Sequence, residues 1–518
     1  MQNSLSLLEL FAILEERLDI HLSYEVDPEH REYERTTTTV VNALLAPVVS
    51  KYLNSASQKL HALGLDVPIQ VLSSSGGLVD VLEAKSRPVA VIESGPAAGV
   101  VGAAQLARIL KFERVISLDM GGTTAKAGCV VDYEPLVTPE MEIRGAVHMG
   151  RVVKGSGYPV RYPCVDLAEV SAGGGTIIWG DEAGGLRVGP ISAGAQPGPA
   201  CYDTGGTSPT ITDANLVLGR LGKSLIGGEL NLNLERANEA LKRVAAVVGL
   251  DPLRVAADSL KLINFHMARA VDIVSLERGF DPRGFSLVAF GGAGPMHAAE
   301  LAEQVGIDKV VIPRFPGLFS AFGMLTTDMK YNYVKGFLKL FDDLPMQSLE
   351  QEFEEISASA MNDLKSRGFD VSNAKLSRSL DLRYLGQGYE LEVSVDSTLD
   401  EQDIARKFEA LHESVYGYRH DQTKLELTAL RLTLSIPIMK PKIGGLESGS
   451  RPDTSVKYRD VWFGEDWVHT PIYPPNHPAE HLSGPAIVEG YDSTTVIPPR
   501  WRSSMAGMGA MLLEKSET

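Results

Sequence analysis

Short apolar runs that end in glycine-rich turns recur through the first part of the chain. The runs are rich in Val, Ile and Leu, which is typical of strands buried on both faces. Gly or Ser-Gly follows several of them, so these strands are predicted to end in tight turns. The predicted strands are residues 69–72, 89–92, 115–118, 125–131, 285–290 and 309–312.

Apolar residues at helical spacing lie between these strands. A helix is predicted after a Thr-rich stretch, although Pro47 is expected to kink or interrupt it. The helix that begins at Ser94 contains many small residues, so another element is expected to pack closely against it. The predicted helices are residues 1–20, 41–52, 94–110, 234–248, 252–278 and 295–306. The apolar face of the helix at 41–52 is predicted to be Val41, Leu44, Leu45, Val48 and Tyr52.

The pattern changes near residues 326–335. From there to the C-terminus, several strand patterns surround one helical pattern at 399–415. We therefore predict an α/β core followed by an α+β domain. The three predicted segments are a helical or linker segment (1–65), the α/β core (66–328) and the C-terminal α+β domain (329–518).

The overall charge argues against two classes of partner. The chain has 49 basic and 66 acidic residues, which gives a formal net charge of −17. Nucleic acids and anionic membranes are bound by Lys and Arg that replace counterions, so neither is an expected partner. The sequence also contains no apolar stretch of the ~18 residues that a membrane-spanning helix needs.

The three cysteines predict a reducing environment. Cys129, Cys164 and Cys201 are far apart and have no CxxC spacing, so neither a disulfide framework nor a zinc site is expected. They are interpreted as small buried apolar residues in a cytoplasmic protein.

The run SLDMGGTTAK, residues 117–126, is the strongest local candidate for a binding site. A strand ends at Asp119, where a carboxylate can hold Mg²⁺ directly or through water. Two glycines then let the backbone bend close to a ligand, and successive N–H groups can form a concavity for phosphate. The alternative is a tight hairpin with an Asx-type turn. The expected phosphate contacts are Gly121, Gly122, Thr123, Thr124 and Lys126.

A second candidate is VAFGGAGPMHA, residues 288–298. A Gly-rich turn that opens a helix presents free N–H groups and the positive end of the helix dipole to a ligand. The spacing differs from the GxGxxG of dinucleotide-binding folds, and an ordinary strand–helix turn is the alternative. The expected ligand contacts are Gly291, Gly292, Gly294, Pro295 and His297. His297 could instead simply lie against the helix N-terminus.

Three further features have open roles. Two loops, 172–176 and 192–202, have no role that the sequence assigns, although the second is long and irregular, as functional loops often are. Asp213 could assist Mg²⁺ or cap the helix that follows it, and capping is the preferred interpretation.

The two glycine turns in this order are typical of the actin, sugar kinase and Hsp70 class of ATPases. In that class, hairpins hold the phosphates of ATP and a GG turn opening a helix lies against the adenosine. The sequence also resembles the hydantoinase A / 5-oxoprolinase family over essentially its whole length. The runs that carry the resemblance are EYERTTTTVVNA, SSSGGL, ESGPAAGVVGA, LDMGGTTAKAG, AGGGT, VGPISAGAQPGPACY, PTITDANLVLGRL, LERGFDPR, AFGGAGPMHAAELA, DLRYLGQGYEL and GPAIVEGYDSTTVIPPRW.

The resemblance implies an ATP- and Mg²⁺-dependent enzyme subunit that phosphorylates the carbonyl oxygen of a cyclic amide. Asp119 would position the metal and its water, with a larger B-type subunit as the expected partner. Ketone carboxylase subunits belong to the same family, so a ketone substrate is the alternative.

One departure from the family pattern is expected to matter. Family members normally begin with a domain that carries a first hairpin of the type DxGGTxTD, and no such run precedes EYERTTTT here. The ATPase core is therefore expected to be incomplete and the isolated chain inactive. A non-catalytic half that needs a partner is a further alternative.

Overall fold

The computed structural model describes residues 20–145, 147–148, 151–152, 155–420, 423–441, 453–477 and 480–516. The helix predicted over residues 1–20 therefore lies almost wholly outside the described residues. Within them, the chain has a mixed α/β fold, and none of its helices is both long and apolar enough to cross a membrane.

The bounds of the elements are as follows. The α-helices are α1 (Ser23–Val26), α2 (Glu32–Ala62), α3 (Val81–Ser86), α4 (Ser94–Leu110), α5 (Ile211–Val217), α6 (Leu234–Val248), α7 (Pro252–Val274), α8 (Gly294–Val305), α9 (Phe319–Met324), α10 (Met346–Ser366) and α11 (Glu401–Tyr416). The strands of the first half are β1 (Gln70–Leu72), β2 (Leu78–Asp80), β3 (Arg114–Met120), β4 (Ala125–Val131), β5 (Glu134–Pro135), β6 (Val137–Ile143), β7 (Val147–His148), β8 (Arg151–Val152), β9 (Tyr158–Val165), β10 (Leu167–Val170), β11 (Thr176–Gly180), β12 (Leu186–Ser192), β13 (Ser224–Leu225) and β14 (Leu230–Asn231). Those of the second half are β15 (Ser286–Phe290), β16 (Lys309–Ile312), β17 (Met329–Leu340), β18 (Lys375–Tyr384), β19 (Leu391–Val395), β20 (Leu425–Ile436), β21 (Lys457–Phe463), β22 (Asp466–Tyr473), β23 (His481–Ser483), β24 (Ala486–Glu489), β25 (Thr494–Ile497), β26 (Trp501–Met505) and β27 (Met511–Lys515).

The central sheet has the order β23-β26-β27-β16-β15-β3-β4-β10-β8-β7, with β5 beside β4. Its middle strands β3, β15 and β16 are parallel, and the strands outside them pair antiparallel. Along β15, Leu287 and Ala289 enter one hydrophobic core while Val288 and Phe290 enter the other. Burial on both faces explains why β15 is apolar at nearly every position.

A second sheet joins parts of the chain that are far apart in sequence. Its order is β1-β2-β17-β20-β18-β19, so strands from both sides of residue 328 share it. The last strand, β27, also pairs with β16 in the central sheet. The division into segments at residues 65 and 328 remains a prediction, and the hydrogen-bonded sheets cross its second boundary.

Three expectations about secondary structure are wrong. The apolar stretch at 89–92 forms a 3₁₀ turn, Pro88–Val91, instead of a strand. Helix α2 continues through Pro47 without interruption. Helix α10 lies where no helix was expected in the C-terminal segment. The remaining strands and helices named above lie within a few residues of their predicted positions.

The small residues of α4 allow α9 to pack directly against it, as expected. Gly102 of α4 faces Gly323 of α9, and an ideal Cβ on Gly323 would overlap the carbonyl oxygen of Ala98. Because that oxygen belongs to the helix backbone, it has no room to move aside. The close approach of α4 and α9 therefore requires a glycine at position 323.

We expect Gly323→Ala to destabilise the protein by roughly 3 kcal/mol, the upper end of the usual cost of overpacking. Gly95→Ala on α4 is the matched control, because a Cβ at Gly95 has no atom within 4 Å. Urea unfolding of both variants measures the difference. Equal midpoints for the two variants would contradict the close approach of α4 and α9.

Five charged side chains are buried where the segment after α1 meets two sheets. Arg161 Nε lies 2.9 Å from an Asp27 oxygen, and Arg431 Nη2 lies 2.9 Å from a Glu29 oxygen. Arg431 also binds Asp381 through Nε and Nη2. Three carboxylates thus share two guanidinium groups. Burial, aided by Asp381 and opposed by Arg431, raises the pKa of Glu29 to about 7.

Candidate functional site

The register of the central sheet brings the two predicted glycine turns together. Strands β3 and β15 are parallel neighbours, with Asp119 opposite Phe290. The carboxyl ends of parallel strands lie at the same edge, so the turns that follow them meet there. The Ala293 N–H donates to the Met120 carbonyl oxygen at 3.0 Å, which fixes one turn against the other.

A cavity of about 550 Å³ opens at this edge of the sheet. Most of its lining is glycine-rich loop, and it includes both loops whose roles the sequence left open. It also includes a loop near the C-terminus. The main contributing segments are residues 121–123, 174–175, 194–202, 224–230, 292–296 and 489–494.

One part of the cavity is built from backbone. The Gly174 N–H donates to the Gly121 carbonyl at 3.0 Å, and the Gly175 N–H donates to the Gly122 carbonyl at 2.6 Å. These bonds hold the hairpin turn and the loop at 172–176 side by side. A Cβ on Gly122 would meet no atom within 4 Å, so this position faces open space. A ligand can therefore approach the backbone here without displacing a side chain.

Another part of the cavity is apolar. The residues on this side belong to a single hydrophobic cluster that also contains Leu216 of α5 and buried side chains of the sheet β21-β22-β24-β25. The cavity thus combines a wall of peptide groups with a wall of apolar side chains. The lining residues from the cluster are Tyr202, Leu221, Leu225, Leu230 and Met296.

Asp119 lies directly beneath the second glycine turn. A Cβ on Gly291 would overlap the Asp119 carboxylate and the Met120 carbonyl, and Gly291 has a φ of +81°. Only glycine satisfies both constraints. Burial raises the pKa of Asp119, and the charge of Lys126 opposes this increase. Gly292 has neither constraint, since the nearest atom to its ideal Cβ is the Asp492 carbonyl at 3.7 Å.

Lys126 is held by two carboxylates. Its Nζ lies 2.8 Å from a Glu93 oxygen and 3.4 Å from a Glu169 oxygen. Although burial alone would lower it, the hydrogen bond and charge of Glu93 hold the pKa of Lys126 above its usual value. Among the described residues, the cavity lining includes Gly121, Gly122, Thr123 and Gly292 of the predicted contacts. It does not include Asp119, Thr124, Lys126, Gly291, Gly294, Pro295 or His297.

His297 is fully buried behind the cavity, on the side of α8 that faces α7. Its Nδ1 lies 2.8 Å from Asn264 Oδ1, and its Nε2 lies 3.3 Å from Asn215 Nδ2. Burial, with a smaller contribution from Arg220, lowers the pKa of His297 to about 4. The ring is therefore neutral at pH 7, with Nδ1 donating and Nε2 accepting. This position agrees with the interpretation that His297 packs at the helix N-terminus.

Asp213 takes part in the cap of α5, but it lies in the first turn of that helix and the N-cap residue is Thr210. Its side chain and that of Thr210 form a capping box. The carboxylate also accepts hydrogen bonds from the amides of Ala200 and Cys201 at 3.2 and 2.7 Å. Asp213 thus fixes the end of the loop at 192–202 against the cavity.

The three cysteines are buried, and burial raises the pKa of Cys129 and Cys164 to about 12.

The sequence assigned no site role to two further parts of the cavity lining, residues 224–230 and the loop at 489–494. The loop at 489–494 connects β24 to β25, and Glu489, Gly490 and Asp492 all line the cavity. The Asp492 carboxylate accepts the Gly317 N–H at 2.8 Å, which ties the loop to the residues after β16. The run EGYDST between two apolar strands indicates a turn, but its position in space depends on distant pairing.

Comparison with known families identifies two matches that together cover most of the chain. Residues 35–333 match the hydantoinase/oxoprolinase family model, and residues 344–512 match the hydantoinase/oxoprolinase C-terminal domain. The chain belongs to the hydantoinase/oxoprolinase family. The family resemblance expected from the sequence is confirmed.

Several relatives within the hydantoinase/oxoprolinase family have been named as enzyme subunits. Caprolactamase subunit alpha of Pseudomonas jessenii is 32% identical, with 93% of this chain and 70% of that protein covered. The acetophenone carboxylase gamma subunit of Aromatoleum aromaticum is 30% identical, with 95% and 68% covered. The crystal structure of ATP-dependent caprolactamase from P. jessenii superposes with a TM-score of 0.82 at 30% identity, covering 98% of this chain and 74% of that one. The nucleotide-free structure of acetone carboxylase gives a TM-score of 0.75 at 25% identity, with 98% and 73% covered.

The site of this hydantoinase/oxoprolinase chain has few residues that could bind Mg²⁺ directly. In the part of the chain that the structure describes, no group of three or more His, Cys, Asp or Glu side chains could hold a metal. A Mg²⁺ that arrives with a nucleotide needs few protein ligands, because phosphate oxygens and water complete its shell. The Asp119 carboxylate lies beneath the turn at Gly291 and outside the cavity lining, so it would reach such an ion through water, and the open space at Gly122 fits phosphate.

Proposed function

We propose that this chain binds ATP with Mg²⁺ in the glycine-lined cavity and serves as the ATP-using subunit of a cyclic amide hydrolase. The observation that carries the proposal is the cavity itself, which has a wall of peptide groups and a wall of apolar side chains. A nucleotide has the same division between its phosphates and its base. The names of the relatives support the use of ATP.

The peptide wall would receive the phosphates. The N–H groups of Gly122 and Thr123 are at the turn of the hairpin, without a side chain in the way at Gly122, whereas the Gly121 N–H donates to the Thr124 carbonyl at 3.1 Å. Asp119 would hold Mg²⁺ through water, since its carboxylate lies under the turn at Gly291. The nucleoside would then pack along Gly292 and Met296 toward the apolar wall.

The core would accordingly be of the actin, sugar kinase and Hsp70 class. In support, the two turns follow adjacent parallel strands and flank one cavity. Lys126 lies on the neighbouring strand β4, opposite Asp119, and ion pairs with Glu93 and Glu169 hold its ammonium group. In this scheme Lys126 supports the hairpin from behind.

ATP is needed because an amide carbonyl is a weak electrophile. Transfer of the γ-phosphoryl group to the carbonyl oxygen breaks its bond to ADP and forms a new P–O bond. Water then adds to the activated carbon, the ring C–N bond breaks, and a second water releases phosphate. Together one cyclic amide, one ATP and two waters give ADP, phosphate and the ring-opened acid, which is an amino acid from a lactam or oxoproline and a carbamoyl amino acid from a hydantoin. Positioning and charge neutralisation are the contributions that such a transfer needs from the protein.

The substrate and partner follow the same reasoning. We propose a hydantoin-, oxoproline- or lactam-type ring as substrate and a B-type subunit as partner, because relatives are named as subunits of larger enzymes. The carboxylase relatives keep a ketone as the second candidate. Three buried thiols suit a cytoplasmic enzyme.

Asp119→Asn should abolish substrate-dependent release of ADP while leaving the thermal unfolding midpoint nearly unchanged. The amide has the same shape, but it lacks the negative charge that would hold Mg²⁺. A coupled assay of ADP release would compare lactam, hydantoin, 5-oxoproline and acetone with bicarbonate, in the presence of the B-type subunit. Asp342→Asn, at an exposed carboxylate outside the cavity, is the matched control. Full turnover by Asp119→Asn at saturating Mg²⁺ would refute the metal role of Asp119. ADP release with acetone and bicarbonate but with none of the cyclic amides would favour a ketone carboxylase subunit.

A further inference from the structure

Tyr491 connects two loops across the mouth of the nucleotide cavity. It lies on the loop between β24 and β25, lines the cavity, and remains 61% exposed. Its hydroxyl donates to a Glu229 carboxylate oxygen at 3.3 Å. Glu229 belongs to the short loop between β13 and β14. The C-terminal part of the chain thus contacts a loop that lies more than 260 residues earlier.

Gly227 makes room for this ring. It has a φ of +60°, and an ideal Cβ there would lie 2.7 Å from two ring carbons of Tyr491. The neighbouring Gly228 has a φ of +101° and open space beside it. The loop therefore presents bare backbone to one side of the ring, while much of the remaining ring surface stays accessible.

The residues next to Tyr491 show which wall of the cavity its ring belongs to. Leu225 and Ile226 precede Gly227 and line the cavity, and Leu225 packs on the apolar cluster. Tyr491 packs on Gly227 and therefore adds an aromatic surface next to the part of the apolar wall that Leu225 and Ile226 form. An aromatic ring at this wall suits a flat heterocycle rather than a phosphate.

We infer that Tyr491 stacks on the nucleotide base and, with its hydroxyl bond to Glu229, holds the cavity closed over the nucleoside. This inference rests on the proposed function and adds the residue that recognises the base. Glycine at 227 is required because any side chain there would push the ring away. Every base has a π face, so the contact favours nucleotides over inorganic polyphosphates without selecting one base.

The test compares a nucleotide with a ligand that has phosphates only. Titrations of MgADP and Mg-tripolyphosphate, followed by ligand-observed NMR, would use the wild type, Tyr491→Ala, Tyr491→Phe and the control Tyr158→Ala, an exposed tyrosine on β9. Tyr491→Ala should bind MgADP about tenfold more weakly and bind tripolyphosphate as the wild type does. Tyr491→Phe should lose much less, because it keeps the ring.

Each other result has a definite meaning. Unchanged ADP affinity in Tyr491→Ala would overturn the inference, and so would an equal loss for ADP and tripolyphosphate. A wild type that binds neither ligand would instead refute the proposed function. Gly227→Val gives an independent measurement: it should reproduce the selective loss of ADP binding, and a retained wild-type affinity for ADP would overturn the role of Gly227.

Discussion

Gly122→Val should weaken nucleotide binding at least tenfold while the protein stays folded. A Cβ at this position meets nothing within 4 Å, and the φ of Gly122 lies outside the left-handed region, so the fold accommodates the change. The branched side chain would then occupy the space beside the hairpin turn where the phosphates are proposed to lie. We expect at least a tenfold loss of affinity for both MgADP and Mg-tripolyphosphate, or about 1.4 kcal/mol.

Two other glycine substitutions make this prediction specific. Gly292→Val also faces the cavity, but on the nucleoside side, so it should weaken ADP binding and spare tripolyphosphate. Gly284→Val, at an open position away from the cavity, controls for the general cost of a branched residue. Calorimetric unfolding would confirm that all three are folded. Wild-type tripolyphosphate affinity in Gly122→Val would remove the phosphates from the hairpin.

The sequence predicted the elements of this site better than their arrangement. Both glycine turns and the strands before them were expected, because apolar runs and glycine are local features. That β3 and β15 are parallel neighbours depends on contacts across about 170 residues. In the second turn the positive φ falls on Gly291 and not on Gly292. Because Gly291 and Gly292 are adjacent and identical, the sequence cannot show which of them lies against the Asp119 carboxylate.

Residue type near a glycine turn was a weaker guide to contact. His297 follows the GGAG turn closely, but the helix turns its ring toward two asparagines. Lys126 follows the first hairpin, but two carboxylates hold its ammonium group. The asparagines and the carboxylates all lie on other elements, so no local pattern could predict where these two side chains point. The loop at 489–494 was missed for the same reason.

Helix α2 shows how buried polar groups mislead a prediction from hydrophobicity. Its expected apolar face included Leu44, Val48 and Tyr52, which are exposed. Its buried face instead contains Thr38, whose hydroxyl accepts the Arg161 N–H at 2.9 Å, and Asn42. These side chains are buried because they satisfy backbone groups of neighbouring segments.

Two buried groups should give opposite pH dependence of stability. The pKa of Glu29 is raised from 4.5 to about 7, so its folded form keeps a proton that the unfolded form loses. Its contribution is therefore present below pH 4.5 and is lost as the pH rises through 7. The pKa of His297 is lowered from 6.5 to about 4, so its contribution is present above pH 6.5 and is lost as the pH falls through 4.

Each shift corresponds to about 3 kcal/mol of differential stability, from about 1.4 kcal/mol for each pKa unit. Because the signs are opposite and the windows overlap, the two contributions largely cancel in the wild type between pH 4.5 and 6.5. Glu29→Gln mimics the protonated carboxyl and can still accept from Arg431, so it should remove one contribution without breaking the cluster. The stability of Glu29→Gln relative to the wild type should therefore increase by about 3 kcal/mol as the pH rises from 4.5 to above 7.

His297→Gln should show the reverse. Its stability relative to the wild type should decrease by about 3 kcal/mol as the pH rises from 4 to above 6.5, because the variant has no imidazole whose neutral form is favoured. Urea unfolding at half-unit pH intervals measures both differences, and Glu465→Gln, which removes an exposed carboxylate, gives the baseline. If both variants followed the wild type in parallel across this range, neither Glu29 nor His297 would titrate as their burial requires. Opposite slopes would instead show that the contributions of Glu29 and His297 have opposite signs and compensate each other in the wild type.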